Sequence, residues 1–191
     1  LCLSGPPGTG KSAFARHLAE RMQMPVLERR ASDLLDRYVG GSESNIANAF
    51  AEARDTSAFL VFDEADSLLG ARDSAAHRWE ISQVNEMLTW MEHHPLPFAC
   101  TTNLVDQLDP ATARRFSLRI AFLPLSIEQR NACFRRFFQS DPPTGLLALD
   151  QLTPGDFAVV AKRSKLLGIS EAEAILIELR REQSAKPDTR N

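Results

Sequence analysis

The sequence has few cysteines and no long apolar run, and each of these absences excludes a class of protein. Its 191 residues include only Cys2, Cys100 and Cys133, which form no Cys-x-x-Cys pair. An odd number of cysteines with no paired spacing argues against a disulfide framework and favours reduced thiols in the cytoplasm. No apolar run exceeds about six residues, whereas a membrane-spanning helix needs roughly 20. No charged-then-apolar leader opens the chain, so we expect a cytoplasmic protein with no membrane segment.

The first part of the chain is poor in positive charge. Residues 1–110 carry a net charge of −7, and residues 111–191 carry +4. An acidic first region offers no electrostatic footprint for nucleic acid. The composition as a whole, 43% hydrophobic and 25% charged, matches globular averages and excludes a disordered or fibrous protein. Since the chain begins at Leu1, inside an apolar run, we expect it to be part of a longer protein.

Apolar runs alternate with amphipathic segments as far as residue 122. The runs predict five strands, at residues 1–3, 25–28, 58–62, 97–102 and 118–122. Apolar residues at helical spacing predict helices between them, at 13–22, from 43 onward and at about 77–92. Strands that alternate with helices are typical of a parallel α/β sheet.

After Pro124 the pattern becomes entirely helical. One helix is predicted from Ser126 to about Phe138, and a second is capped by Thr153. Ser170, followed three residues later by Glu173, predicts a capping box for the last helix. The sequence therefore predicts two domains, an α/β domain over 1–123 and a small helical domain over 124–191.

A glycine-rich segment between the first strand and the first helix predicts a phosphate-binding loop. It reads Gly5, Pro6, Pro7, Gly8, Thr9, Gly10, Lys11, Ser12. Glycines let the backbone N–H groups surround a phosphate, and the helix N-terminus adds a positive dipole end. Lys11 is expected to reach the β- and γ-phosphates, and the Ser12 hydroxyl to ligate Mg²⁺.

Two acids follow the apolar strand at 58–62. Asp63 is expected to hold Mg²⁺ through its water shell, and Glu64 to take a proton from the attacking water. Asn103 ends the fourth strand, where it is expected to lie beside the γ-phosphate and orient that water. A GTPase would carry an Asn-Lys-x-Asp motif, and the nearest segment, Asn103 to Asp106, lacks the lysine.

These motifs resemble those of the AAA+ ATPases, in the AAA branch that includes the protein-remodelling ATPases. Gly5–Ser12 resembles Walker A, Phe59–Glu64 resembles Walker B, and Thr102-Asn103 resembles sensor 1. The resemblance implies a P-loop sheet with strand order 5-1-4-3-2, a C-terminal helical lid, and ATP with Mg²⁺ as ligands. It also implies a homo-oligomeric ring, usually a hexamer, in which each site is completed by its neighbour.

Arg114 and Arg115 stand where the family carries two arginines separated by two residues. Here they are adjacent, so the resemblance implies a trans-acting arginine finger without deciding which residue it is; we favour Arg114. An arginine has the planar fork and permanent charge that a developing phosphate charge requires. In the lid, Gly155 occupies the position where small residues of the AAA branch meet the nucleotide base.

A loop before the third predicted helix resembles the pore loop of protein-threading members. Tyr38 and Val39 would grip a polypeptide, and Gly40 permits the tight turn. Residues 70–77 would form a second, less specific pore loop. The resemblance therefore implies a protein substrate, recognised directly or through an adaptor by domains outside this chain. A nucleic-acid motor or loader and a nucleotide-gated scaffold stay open as alternatives, because they share every ATP residue.

Overall fold

A computed structural model gives the fold of the chain. The residues that it describes are 1–36, 38, 40–69, 78–103 and 110–186. Contacts group them into two compact units. The first, called the sheet unit below, comprises Leu1–Gly5 and Lys11–Phe122; the second, the helical unit, comprises Pro6–Gly10 and the chain from Leu123 onward. Pro6–Gly10 therefore group with residues more than a hundred positions later.

The described residues of the sheet unit form five parallel strands. They are β1 (Cys2–Ser4), β2 (Val26–Arg30), β3 (Phe59–Asp63), β4 (Phe98–Thr102) and β5 (Arg119–Ala121). Their order across the sheet is β2-β3-β4-β1-β5, which is the predicted order read from the opposite edge. The predicted fold class is thus confirmed, with strand bounds within about two residues of those expected from apolar runs.

Six helices lie in the described part of the sheet unit. They are α1 (Lys11–Arg21), α2 (Ala31–Leu34), α3 (Gly41–Asp55), α4 (Asp66–Leu69), α5 (Arg78–His93) and α6 (Pro110–Arg115). The strand β3 is buried on both faces, as a continuous apolar run requires in a parallel sheet. Leu60 and Phe62 join one core cluster together with Phe50 of α3. Phe59 and Val61 join the cluster on the other face.

The helical unit contains α7 (Ile127–Phe138), a 3₁₀ turn (Thr144–Ala148), α8 (Pro154–Leu167) and α9 (Ala172–Ser184). These helices enclose a separate apolar core that includes Phe134, Phe157, Leu176 and Leu179. Each of the three helices contributes apolar side chains to this core, as expected of helices with one apolar face.

The helix starts in this unit agree with the sequence in two cases out of three. Ser126 caps α7, accepting a hydrogen bond from the Gln129 N–H at 3.3 Å. The Asp156 carboxylate accepts a bond of 2.6 Å from the Thr153 N–H at the start of α8. The capping box predicted at Ser170 is wrong. The N-cap of α9 is Glu171, with no side-chain cap hydrogen bond.

Candidate functional site

The chain leaves β1 through Gly5, in a conformation that only glycine fits. Its φ is +143°, and a Cβ at this position would lie 2.2 Å from the carbonyl oxygen of Phe122. The Gly5 N–H donates to the Thr102 carbonyl oxygen at 3.2 Å. The first residue of the predicted phosphate loop is therefore fixed beside the end of β4, the neighbouring strand.

The middle of the loop, Pro6–Gly10, groups with the helical unit. The Gly155 N–H donates to the Gly8 carbonyl oxygen at 2.9 Å. A Cβ on Gly8 would lie 2.8 Å from the Thr153 hydroxyl oxygen, and one on Gly155 would lie 2.8 Å from the Gly8 Cα. Both glycines are needed for this close backbone approach. Gly155, which the family resemblance associates with the nucleotide base, thus contacts the loop itself.

Lys11 opens α1 and is buried. Its ammonium donates to the Gly5 carbonyl oxygen at 2.7 Å and to Oδ1 of Asn103 at 2.8 Å. Burial lowers the pKa of Lys11 below that of a free lysine, while nearby carboxylates, Asp66 first among them, oppose the shift. The structure therefore brings together the lysine of the loop and the asparagine predicted at the end of β4.

Ser12 of α1 and Asp63 at the end of β3 are in direct contact. The Ser12 hydroxyl donates to Oδ1 of Asp63 at 2.6 Å. Both groups are oxygen ligands of the kind that Mg²⁺ prefers, and Mg²⁺ is commonly held by one or two such groups with waters and substrate phosphates. The two residues fit that role. The described residues contain no group of three or more His, Cys, Asp and Glu side chains suited to a metal ion held by protein alone.

Glu64 follows β3 in a left-handed turn. Its φ is +53°, one of four positive φ values among the described residues other than glycine. Such a conformation is uncommon for a non-glycine residue and persists where surrounding bonds hold it. The Glu64 N–H donates to the Thr101 hydroxyl at 3.0 Å, and the carboxylate side chain is exposed. The turn thus directs an acid to solvent immediately after Asp63.

Asp66 is a site residue that the sequence did not reveal. Its Oδ1 accepts hydrogen bonds from the Thr102 hydroxyl at 2.5 Å and from the Asn103 N–H at 3.0 Å. Asp66 therefore fixes the backbone of the asparagine that contacts Lys11. A carboxylate three residues after Asp63 is visible in the sequence, but its partners depend on the turn at Glu64.

The two arginines of α6 differ in their surroundings. The Arg115 guanidinium donates to Glu92 at 2.6 Å, in an ion pair that is partly exposed. Arg114 is exposed, and no ion-pair partner for it is found in the described part of the chain.

The predicted pore-loop tyrosine is 82% exposed. Its N–H donates to Oδ1 of Asp36 at 3.0 Å, and its carbonyl oxygen accepts from the Gly41 N–H at 3.0 Å. Gly40 has a φ of +86°, so a glycine is favoured there. Tyr38 therefore stands on a short turn whose backbone is fixed while its ring faces solvent.

Two predictions fall on residues outside the described part of the chain. These are Val39 of the first pore loop and residues 70–77 of the second. Within the described ranges, none of the helices has both the length and the apolar character needed to cross a membrane.

Taken with the sheet order, the loop and the acidic end of β3 define a P-loop nucleotide-binding domain. The model of the family described as "ATPase family associated with various cellular activities (AAA)" matches residues 1–124. The chain belongs to this AAA family of ATPases, which confirms the family and the enzyme class predicted from the motifs.

Curated relatives agree with this membership. The chain is 32% identical to "ATP-dependent zinc metalloprotease FTSH 3, mitochondrial" of Oryza sativa subsp. japonica, over 96% of this chain and 25% of the relative. It is 32% identical to "ATP-dependent zinc metalloprotease FtsH 3" of Sphaerobacter thermophilus, over 95% and 38%. It is 30% identical to "Spastin" of Drosophila mojavensis, over 90% and 24%. The chain thus spans between about a quarter and two fifths of the length of these relatives.

Proposed function

We propose that the protein binds ATP with Mg²⁺ and hydrolyses it, and that residues 1–123 form the ATPase domain and 124–191 its lid. The observation that carries this proposal is the convergence of Lys11 with Asn103 and of Ser12 with Asp63. Four side chains from two strand ends and one helix start meet where parallel α/β sheets bind ligands. The family membership supports the same nucleotide chemistry.

Each residue of the site has a distinct task in this proposal. The loop Gly5–Gly10 surrounds the phosphates with backbone N–H groups, and Lys11 offers its charge to the β- and γ-phosphates. The Asn103 amide orients a water molecule toward the γ-phosphorus. Glu64 accepts a proton from that water as its oxygen attacks and the bond to the ADP oxygen breaks.

Ser12 and Asp63 would hold Mg²⁺ in this site. When bound, the ion would neutralise negative charge on the phosphate oxygens as the γ-phosphoryl group is transferred. The hydrogen bond of 2.6 Å between the two side chains keeps their oxygens together. Asp66 is a positioning residue, since it holds the main chain of Asn103.

We further propose that the site is completed in a homo-oligomeric ring, in the number of subunits usual for the family, a hexamer. Arg114 is the finger that a neighbouring subunit contributes, because its guanidinium is exposed whereas that of Arg115 is held by Glu92. A permanently charged fork can stabilise the charge of the γ-phosphoryl group from across a subunit boundary.

The substrate that we propose is protein, moved by the loop at Tyr38. Its exposed ring supplies a large apolar surface that can pack on a polypeptide. Two of the relatives are named ATP-dependent metalloproteases, which act on protein. The chain itself contains no His-Glu-x-x-His zinc motif, so the proposal concerns ATP-driven remodelling alone. We place it in the cytoplasm on account of its three free cysteines.

One pair of variants tests the nucleotide part of the proposal. Glu64→Gln should bind ATP but hydrolyse it at least about a hundredfold more slowly, because the general base is lost while the loop is intact. Lys11→Ala should lose nucleotide binding itself. A fluorescent-nucleotide titration separates the two effects from a steady-state hydrolysis assay. Hydrolysis by Glu64→Gln at the parent's single-turnover rate would remove Glu64 from its role.

A further inference from the structure

Thr101 is a buried threonine beside the acidic end of β3. Its side chain lies near the end of β4 and is 1% exposed. In the pairing of β3 with β4, Phe62 is opposite Cys100, so the next residue of each strand, Asp63 and Thr101, are neighbours. Parallel strands place such a pair on the same face of the sheet.

The Thr101 hydroxyl links Asp63 to Glu64. It donates to Oδ1 of Asp63 at 2.6 Å and accepts from the Glu64 N–H at 3.0 Å. A hydroxyl has one proton to donate and can accept at the same time, so one side chain satisfies both neighbours. The bond to the carboxylate is charge-assisted and short, which makes it stronger than a neutral hydrogen bond.

The main chain of Thr101 contributes a third bond to the same turn. Its carbonyl oxygen accepts from the Ala65 N–H at 2.8 Å. Thr101 therefore accepts hydrogen bonds from two consecutive N–H groups, those of Glu64 and Ala65. Between them lies the left-handed turn of Glu64, with φ of +53°, a conformation that surrounding bonds must hold.

We propose that Thr101 is a positioning residue that sets the carboxylate of Asp63 and the turn of Glu64 together. The inference rests on the proposed hydrolysis of ATP. The Thr101 hydroxyl holds the Asp63 carboxylate, which would bind Mg²⁺ together with Ser12. The Ser12 hydroxyl donates to the same oxygen of Asp63. By accepting from the Glu64 N–H, Thr101 also fixes the direction in which the Glu64 carboxylate, the proposed proton acceptor, points away from β3. Partners of metal ligands commonly govern affinity and rate in this way.

Thr101→Val tests the hydroxyl with little change of shape, since only the oxygen is replaced by a methyl group. In the full-length gene product, we expect kcat for ATP hydrolysis to fall by about tenfold or more and the Mg²⁺ concentration for half-maximal rate to rise several-fold. Nucleotide affinity measured without Mg²⁺ should stay within about twofold, because Lys11 and the loop are untouched. Thr101→Ser retains the hydroxyl and should recover most of the rate.

Two further variants keep the test decisive. Thr101→Ala leaves a small void instead of a buried methyl group and must show the same loss as Thr101→Val. Thr89→Val changes the same residue type at an exposed position of α5, where the hydroxyl donates to the Asn85 carbonyl oxygen. This control should match the parent in rate and in Mg²⁺ dependence.

The outcomes separate this inference from the proposed function. If the parent hydrolyses ATP, Glu64→Gln does not, and Thr101→Val equals the parent, Thr101 has no positioning role while the proposed function stands. Equal loss in Thr101→Ser and Thr101→Val would also overturn the inference, because the hydroxyl would then be irrelevant. A parent that binds no nucleotide and hydrolyses none would overturn both.

Discussion

The ammonium of Lys11 donates a hydrogen bond of 2.8 Å to Oδ1 of Asn103, which lies 92 residues later in the chain. The contact exists because β1 and β4 are adjacent parallel strands, with Ser4 opposite Thr102. The residues that follow β1 and β4 therefore lie at the same edge of the sheet. The predicted phosphate loop and the asparagine proposed to orient water thereby share one location.

Removal of the Asn103 amide should affect hydrolysis far more than binding. Asn103→Ala is expected to lower kcat by roughly ten- to a hundredfold, because the attacking water loses a fixed partner. ATP affinity should change by only a few-fold, since Lys11 also donates to the Gly5 carbonyl oxygen. Steady-state kinetics and a nucleotide titration measure the two effects. A rate within twofold of the parent would contradict the assigned role.

Arg114 and Arg115 should differ in their contribution to hydrolysis. Arg114→Ala is expected to reduce the rate by about a thousandfold, the lower range for loss of a finger arginine. Arg115→Ala should cost much less, because that guanidinium is engaged with Glu92. The measurement is ATP hydrolysis by each variant at saturating nucleotide and high protein concentration. Equal losses in the two variants would leave Arg114 without its special role.

Mixing experiments show whether the arginine acts between subunits. Arg114→Ala subunits keep a working Glu64, and Glu64→Gln subunits keep a working arginine. A mixture should hydrolyse more ATP than either variant alone, because some boundaries then join both intact residues. Activity per subunit of the parent should also rise with concentration. Flat activity on dilution together with no gain on mixing would exclude a finger in trans.

The ring of Tyr38 should matter for work on protein but not for basal hydrolysis. Tyr38→Ala is expected to keep the basal ATP rate within a few-fold and to lose stimulation by an unfolded protein such as casein. Tyr38→Phe is the matched control, as it retains the apolar ring. Stimulation by DNA that falls steeply between about 50 and 200 mM salt would favour a nucleic-acid motor instead. If neither polymer stimulates the full-length protein, a scaffold is favoured.

His94 should make the fold less stable in mild acid. Its ring packs against Phe50 at a centroid distance of 5.0 Å, and its buried Nε2 has no hydrogen-bond partner among the described residues. Burial, followed by the charge of Arg54, lowers the pKa of His94 below 6.5. The unfolded chain therefore binds a proton at a higher pH than the folded one, so stability is complete above about 6.5 and declines below it.

Because of His94, the free energy of unfolding should fall by at most about 1 kcal/mol between pH 7.5 and 5.5. The effect is small because the ring is only half-buried and solvent screens part of the charge. Urea unfolding of the parent and of His94→Phe at both pH values measures it. The variant keeps an aromatic ring beside Phe50 but cannot titrate, so its decline should be smaller. An identical decline in both proteins would assign the pH dependence to other groups.

The sequence predicted what depends on periodicity and on local motifs. The five strands follow from apolar runs, and the strand–glycine loop–helix order located Lys11 and Ser12. The cap at Ser170 was predicted wrongly because the apolar face that contains Ile175 and Leu176 sets where α9 begins, and Ser170 is left exposed before it. A local capping pattern is weaker than the packing of a helix face.

The contacts of Thr101 and Asp66 could not be predicted from the sequence. They require the register of β3 against β4 and a left-handed residue between two acids, and neither is encoded in a short motif. The same limit applies to the adjacent arginines, which are indistinguishable by residue type. In the described residues, the ion pair with Glu92 of α5 distinguishes Arg115 from Arg114.

The contact of Gly8 with Gly155 has a consequence for any attempt to shorten the protein. The family model ends at residue 124, which suggests that a polypeptide cut there would be a self-sufficient nucleotide-binding module. Such a truncation would keep Lys11, Ser12 and Asp63. It would delete Gly155, whose N–H donates to the Gly8 carbonyl oxygen at 2.9 Å. The smallest piece with an intact phosphate loop must therefore extend at least through the first turn of α8.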